Sequence, residues 1–144
     1  MREKFFDEAK KESYLSDYNK QHLGAVAVYQ NKFILARAHN CEKTNPTQYY
    51  FDRYRIPNRG IIVESKGHAE INLVRKIRYL DIDFSKVTIY IYREFKDGSP
   101  ALSRPCPACE QALKSLGIKK VCYTTNAGYC EEHFVDFEKK NKKF

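Results

Sequence analysis

The strongest constraint on how this chain can fold is a pair of short motifs, Gly67-His68-Ala69-Glu70 and Arg104-Pro105-Cys106-Pro107-Ala108-Cys109, each set where a helical pattern begins. Ala69, Leu73, Val74 and Ile77 recur at helical spacings, which predicts a helix over residues 67–79 with His68 and Glu70 in its first turn. Cys109, Ala112, Leu113 and Leu116 repeat the pattern and Gly117 supplies a stop, so a second helix begins near Cys106. Residues three apart lie on nearly the same helix face, so Cys106 and Cys109 can turn both sulfurs toward one point just outside the first turn. Pro107 suits the first helical position, where a missing N–H has no intrahelical use. Both motifs follow loops and sit beside strand-like runs. The fold is therefore expected to aim two helix starts at one point.

The rest of the chain supplies the elements for that. Residues 24–29 and 33–38 are β-prone runs separated by Gln30, Asn31 and Lys32, where Asn tolerates the left-handed backbone of a tight turn, so an antiparallel hairpin is expected. Residues 87–92 form a continuous β-branched and aromatic run, the pattern of a strand covered on both faces. Residues 121–125 read as another strand, 131–140 as a closing helix, and 2–15 as an amphipathic helix that packs through Phe5, Phe6 and Ala9. Helices alternating with buried strands imply an α/β fold, a central sheet with helices on both faces. Between residues 40 and 66 the pattern dissolves into a polar, Tyr-rich stretch, and so long an irregular connection is usually functional.

A length of 144 residues fits one domain, 1–144, with 41–66 as a long inserted loop and 139–144 as a basic tail. The 42% apolar and 31% charged composition is that of an ordinary globular protein, and no apolar run approaches the roughly 20 residues of a membrane-spanning helix. The charged first residues do not resemble a secretory signal, so a cytoplasmic setting is expected. Five cysteines, an odd number, with only Cys106 and Cys109 closely spaced, argue for reduced thiols over a disulfide framework. The net charge of +8 and pI near 9.2 favour polyanionic partners, single-stranded nucleic acid among them, although much of the excess sits at Lys139, Lys140, Lys142 and Lys143.

One imidazole and two thiols match the donor count of a catalytic zinc site, where three protein ligands leave a fourth position open. The amides and dipole at the start of a helix stabilise thiolates there. Glu70, two residues past the histidine, is placed to take a proton from water acidified by the metal and to hand it on. A structural zinc site needs no such carboxylate, and no fourth protein ligand stands near His68 in the sequence.

A His-x-Glu followed by Pro-Cys-x-x-Cys is the signature of the zinc deaminases. His68-Ala69-Glu70 and Pro105-Cys106-Pro107-Ala108-Cys109 resemble the zinc-binding region of the cytidine and deoxycytidylate deaminase superfamily over roughly residues 20–130. The resemblance implies a cytidine deaminase-like three-layer α/β/α fold with a mixed sheet of about five strands. It also implies Zn2+ held by His68, Cys106 and Cys109, with Glu70 as the proton shuttle. By the same resemblance Asn40, just after the second strand, contacts the base or sugar, and the backbone at Ala69 reads the base edge. Tyr123, Thr125 and Tyr129 are added as pocket candidates from position and chemistry alone. A homo-oligomer is expected, since related enzymes often complete their sites across subunits.

Three functions follow as alternatives. The first is deamination of a cytosine-containing nucleoside or nucleotide, with the loop of Tyr49, Tyr50, Phe51, Arg53, Tyr54 and Arg55 closing over sugar or phosphate. The second is deamination of a base in single-stranded DNA or RNA, for which the same aromatic and basic residues suit a strand-binding groove. The third is a zinc-stabilised binding module without turnover. Cys130 and His133, with Cys41 or Cys122, form a further candidate zinc set, although buried thiols and a surface histidine explain them more simply.

Overall fold

The computed structural model describes residues 2–18, 21–43, 46–54 and 67–134. Among these residues, five strands form one sheet in the order β2-β1-β3-β4-β5. They are β1 (Leu23–Tyr29), β2 (Phe33–His39), β3 (Val87–Arg93), β4 (Lys120–Thr125) and β5 (Gly128–His133). The helices are α1 (Glu3–Ser13), α2 (Pro46–Phe51), α3 (Ala69–Ile77) and α4 (Pro107–Leu116). The β3–β4 pair is parallel and the other pairs are antiparallel. The expected α/β architecture with a mixed five-stranded sheet is therefore what the chain adopts.

The β1–β2 hairpin turns where the sequence placed it. Gln30 and Asn31 both have positive φ, 53° and 58°, and the Lys32 N–H donates to the Tyr29 carbonyl at 3.1 Å. Two left-handed central residues give the Tyr29–Lys32 turn the primed geometry that matches strand twist, with Lys32 a third connecting residue before the Tyr29↔Phe33 pair.

Side-chain alternation divides the core into two layers. Ala25, Ala27, Ile89, Ile91, Val121 and Tyr123 point to the face covered by α3 and α4, packing with Ile71, Leu73, Ile77, Ala112 and Leu113. Val26, Val28, Tyr90, Tyr92 and Cys122 point to the opposite face, where α1 brings Phe5, Phe6 and Ala9. The burial of β1 and β3 on both faces follows from these two covers. A Cβ at Gly24 would collide with the Ala9 carbonyl, so α1 crosses β1 closely enough that only glycine fits there.

The parallel β3–α4–β4 crossover starts α4 at the carboxyl end of β3. The antiparallel register Leu23↔Arg93 and Gly24↔His39 brings the start of β1 and the end of β2 to the same edge of the sheet. Binding sites in open α/β sheets lie beyond the carboxyl ends of strands.

Two expectations are corrected. The start of the supposed closing helix is β5, paired with β4 along its length. Its polar sequence belongs to an edge strand that alternates between half-buried and exposed residues; residues 135–140 and the basic tail 139–144 lie outside the described residues. The inserted stretch 41–66 is not wholly irregular, for α2 and a 3-10 turn at Asp52–Tyr54 occupy its middle and pack beside α4. Residues 55–66, Arg55 included, lie outside the described residues. No helix among the described residues is long and apolar enough to cross a membrane.

Candidate metal and catalytic site

His68 and Cys106 are the N-cap residues of α3 and α4, with nearly the same extended backbone, φ −74° and ψ 154° against φ −68° and ψ 166°. Neither side chain caps its own helix. Both are turned instead toward Cys109, in the first turn of α4. The ligand atoms of His68, Cys106 and Cys109 all lie within 4.8 Å of one another. His68 Nδ1 is 3.3 Å from Cys109 Sγ and 3.5 Å from Cys106 Sγ. Pro107 and the left-handed Gly117, φ 97°, bound α4 as the sequence predicts.

Glu70 enters the same space from the first turn of α3. It is 3% exposed, and its Oε1 has no hydrogen-bond partner. Burial raises the pKa of its carboxyl, and the neighbouring His68 offsets this in part. An orphaned carboxylate oxygen in the interior costs free energy unless another group completes its bonding.

The two thiols are not equivalent. Cys106 is held down to about 4, first by its hydrogen bond with Cys109 and, against the opposing effect of burial, also by His68. Cys109 is fully buried and its thiol is raised by that burial. The start of a helix favours both thiolates, but desolvation outweighs it at Cys109. A divalent cation would displace the second proton, since metal binding at thiols is proton release. One nitrogen and two sulfurs in tetrahedral reach, beside a buried carboxyl oxygen lacking a partner, fit zinc in a site with one position left open.

The other candidate residues are distributed as follows. Ala69 is fully buried at the first position of α3. Asn40 is 5% exposed at the edge of the same region, but its Oδ1 accepts from the Leu23 N–H and its Nδ2 donates to the Gln21 carbonyl, both at 2.9 Å. Its amide thus fastens the chain before β1 to the end of β2. Tyr123 lies on the α4 face, its hydroxyl donating to Glu132 at 2.9 Å; burial first, then its contacts with Cys130 and Glu132, raise its pKa. The Thr125 hydroxyl closes the β4–β5 turn on Gly128. Tyr129 is not brought to the cluster. The pairing Tyr123↔Cys130 and Thr124↔Tyr129 puts it on the other face of the sheet, stacked on Phe6 at 4.1 Å.

Cys130 and His133 do not converge either. Three residues apart is one face of a helix but opposite faces of a strand, and β5 is a strand. Among the described residues the metal-capable grouping is His68, Cys106 and Cys109 alone, and all five cysteines are free.

Sequence reasoning missed two supports. Gln48, on α2, is fully buried and accepts the His68 backbone N–H at 3.1 Å. Arg104, just before Pro105, donates to Glu132 at 2.7 Å and to Glu110 at 3.0 Å. The Gln48–His68 and Arg104–Glu132 contacts join segments far apart in sequence, which no local pattern reports; the Gln48–Asp52 spacing of one helical turn was the available hint of α2.

The α/β sheet thus presents a His-Cys-Cys donor set that could hold a metal ion, with an inward carboxyl beside it, at two facing helix starts. Residues 1–125 match the cytidine and deoxycytidylate deaminase zinc-binding region, and the chain belongs to that family. Among solved structures it resembles the dCMP deaminase of cyanophage S-TIM5. In its apo form the TM-score is 0.56 at 22% identity, over 84% of this chain and 79% of that one. In its complex with dCMP and dUMP the TM-score is 0.57 at 22% identity, over 84% and 78%. The cytidine deaminase of Burkholderia pseudomallei superposes with TM-score 0.62 at 15% identity, over 92% of each chain. No curated protein matches the chain at a significant level.

Proposed function

We propose that this protein is a zinc-dependent hydrolytic deaminase of a cytosine-containing nucleoside or nucleotide, with His68, Cys106 and Cys109 as metal ligands and Glu70 as acid–base catalyst. The observation that carries the reading is the Glu70 carboxyl, buried, directed into the donor cluster and short of a partner for Oε1. Zinc, when bound, supplies Lewis acidity that makes a water proton available near neutral pH.

The chain's own groups do the rest. Glu70 moves both protons of the attacking water in turn, the first to the ring nitrogen N3 and the second, taken from the new C4 hydroxyl, to the departing amine. A C–O bond forms at C4, the C4–N4 bond breaks, and the products are the corresponding uracil nucleoside or nucleotide and ammonia. A carboxyl whose pKa is raised by burial is suited to both accepting and donating in one cycle. Ala69, between ligand and acid, contributes backbone groups at the base edge. Asn40 and Tyr123 serve first as walls whose hydrogen bonds fix the ends of β1 and β4. The nucleotide preference is supported by the fold relative whose structure holds dCMP and dUMP. A single catalytic domain, a reducing cytoplasmic setting that keeps the five thiols free, and a homo-oligomer belong to the same reading.

A second reading, deamination within single-stranded DNA or RNA, is favoured by one surface. Tyr49 and Tyr50 on α2 are 74% and 50% exposed, and the Arg53 guanidinium lies over the Tyr50 ring at 4.0 Å. Exposed rings beside a cation are what base stacking uses.

The test is ammonia release by the zinc-loaded protein from cytidine, deoxycytidine, CMP, dCMP and single-stranded oligonucleotides, with Glu70→Ala as control. Turnover of the small substrates that Glu70→Ala removes supports the first reading. Turnover of oligonucleotides alone, falling steeply as salt rises, supports the second. Zinc bound with no ammonia from any substrate means a binding module.

A further inference from the structure

His68 is fixed from an element outside the two metal-facing helices. Gln48 on α2 is fully buried, its Oε1 accepts the His68 N–H at 3.1 Å, and its Nε2 donates to Asp52 Oδ1 at 2.8 Å. Burying a primary amide is costly unless both of its ends are bonded, and here each end has a partner. The partners also fix which way the amide points. An ionised carboxylate only accepts, so Asp52 claims the NH2 group and leaves the carbonyl facing His68.

The start of α3 cannot meet this need itself. In a capping box the third helical residue returns an acceptor to the N–H of the N-cap residue, but that position in α3 is Ile71. The His68 side chain, turned to the cysteines, makes no capping bond. Gln48 supplies the missing acceptor from a distance of twenty residues in sequence. The Gly67 carbonyl is tied to the Cys41 N–H at 2.9 Å, so the backbone on both sides of the His68 N–H is defined by neighbouring segments.

We propose that Gln48, oriented by Asp52, is a positioning residue for His68, and that seating α2 against α3 and gripping the metal are one coupled event. This rests on the reading of His68 as a zinc ligand. The coupling is reciprocal: what holds His68 in its liganding pose tightens the metal, and the metal in turn holds α2 down. The exposed Tyr49 and Tyr50 ride on that helix, so metal occupancy is transmitted to the surface beside the site.

The experiment compares the full chain with Gln48→Leu, Gln48→Glu and the double variant Gln48→Glu/Asp52→Asn. Gln48→Leu keeps the volume and removes both bonds. Gln48→Glu faces one carboxylate with another. The double variant restores an acceptor for His68 and a donor at position 52 with the net charge of the parent. Zinc affinity is read by competition with a chromogenic chelator, ligand geometry by the visible spectrum of the cobalt(II) form, and α2 docking by amide exchange in residues 46–54.

In Gln48→Leu we expect zinc affinity to fall by about 10- to 100-fold, the size typical of lost support behind a metal ligand. The cobalt bands should shift and weaken, and exchange in 46–54 should no longer slow on adding metal. Gln48→Glu should bind more weakly still, and the double variant should recover most of the affinity and the parent spectrum. A folded Gln48→Leu protein with parent affinity and spectrum overturns the proposal and leaves the zinc reading intact, as does failure of the folded double variant to recover over Gln48→Glu. A parent chain that binds no zinc overturns both.

Discussion

His68 and Cys106 occupy the same position, the residue before the first turn of a helix, in almost the same backbone conformation, yet they are held by opposite means. The α3 start is fixed by a buried neutral amide from α2. The α4 start is braced at the surface by Arg104, whose side chain is 39% exposed and reaches Glu132 on β5 and Glu110 in the first turn of α4. Each N-cap side chain is committed to the cluster and so cannot cap, and each helix borrows its restraint from elsewhere. The difference matters because solvent screens the ionic brace and leaves the buried relay untouched. Position at α4 should respond to salt and pH; position at α3 should respond to whatever moves α2.

The comparison breaks most completely when the shared ion is lost. Cys109→Ala, at the buried ligand between the two starts, should abolish stoichiometric zinc binding, measured as metal per chain after dialysis. Glu70→Gln keeps both helix starts and all three proposed ligands and removes only the proposed proton carrier. Deamination should fall by about 10²- to 10⁴-fold, the usual share of acid–base catalysis, while zinc content stays at the parent level.

Smaller effects distinguish the two braces. Arg104→Gln should lower stability in urea by roughly 0.5–1 kcal/mol, since the pairs are partly exposed, and the deficit should shrink in high salt. The deficit of Gln48→Leu should persist at the same salt. Smallest is the pH response of Glu132. Its pKa is lowered chiefly by the hydrogen bond from Arg104, so its contribution is complete above the ordinary glutamate pKa and is lost as pH falls through the lower folded value. Glu132→Gln should therefore cost a few tenths of a kcal/mol at neutral pH, with the gap from the parent closing in acid. A gap that widens in acid would place the ionic brace elsewhere.

What the sequence made legible follows the same division. The α3 and α4 starts were readable because their ligands lie within one helical turn of an apolar stripe, and β3 because both faces are buried. The edge strand β5 was not, since Glu131, Glu132 and His133 carry no strand pattern of their own and are made a strand by pairing with β4. Cys130 and His133, paired as metal candidates by their spacing in sequence, fall on opposite faces of that strand. Tyr129 was misplaced for a related reason: which face of a sheet a residue meets depends on hairpin register, which starts only where the turn is known. Asn40 directly follows β2, as its place in the sequence predicts, but its two backbone hydrogen bonds are tertiary facts. Gln48 and Arg104 were invisible because their partners lie twenty and twenty-eight residues away.

The most direct test of the central claim is the zinc X-ray absorption spectrum of the loaded protein, taken with its metal stoichiometry. One zinc per chain is expected, with two sulfurs at about 2.3 Å and two nitrogen or oxygen neighbours at about 2.0 Å. Glu70→Ala should leave the sulfur shell unchanged. A shell of three or four sulfurs, or a chain that retains no zinc, would contradict it.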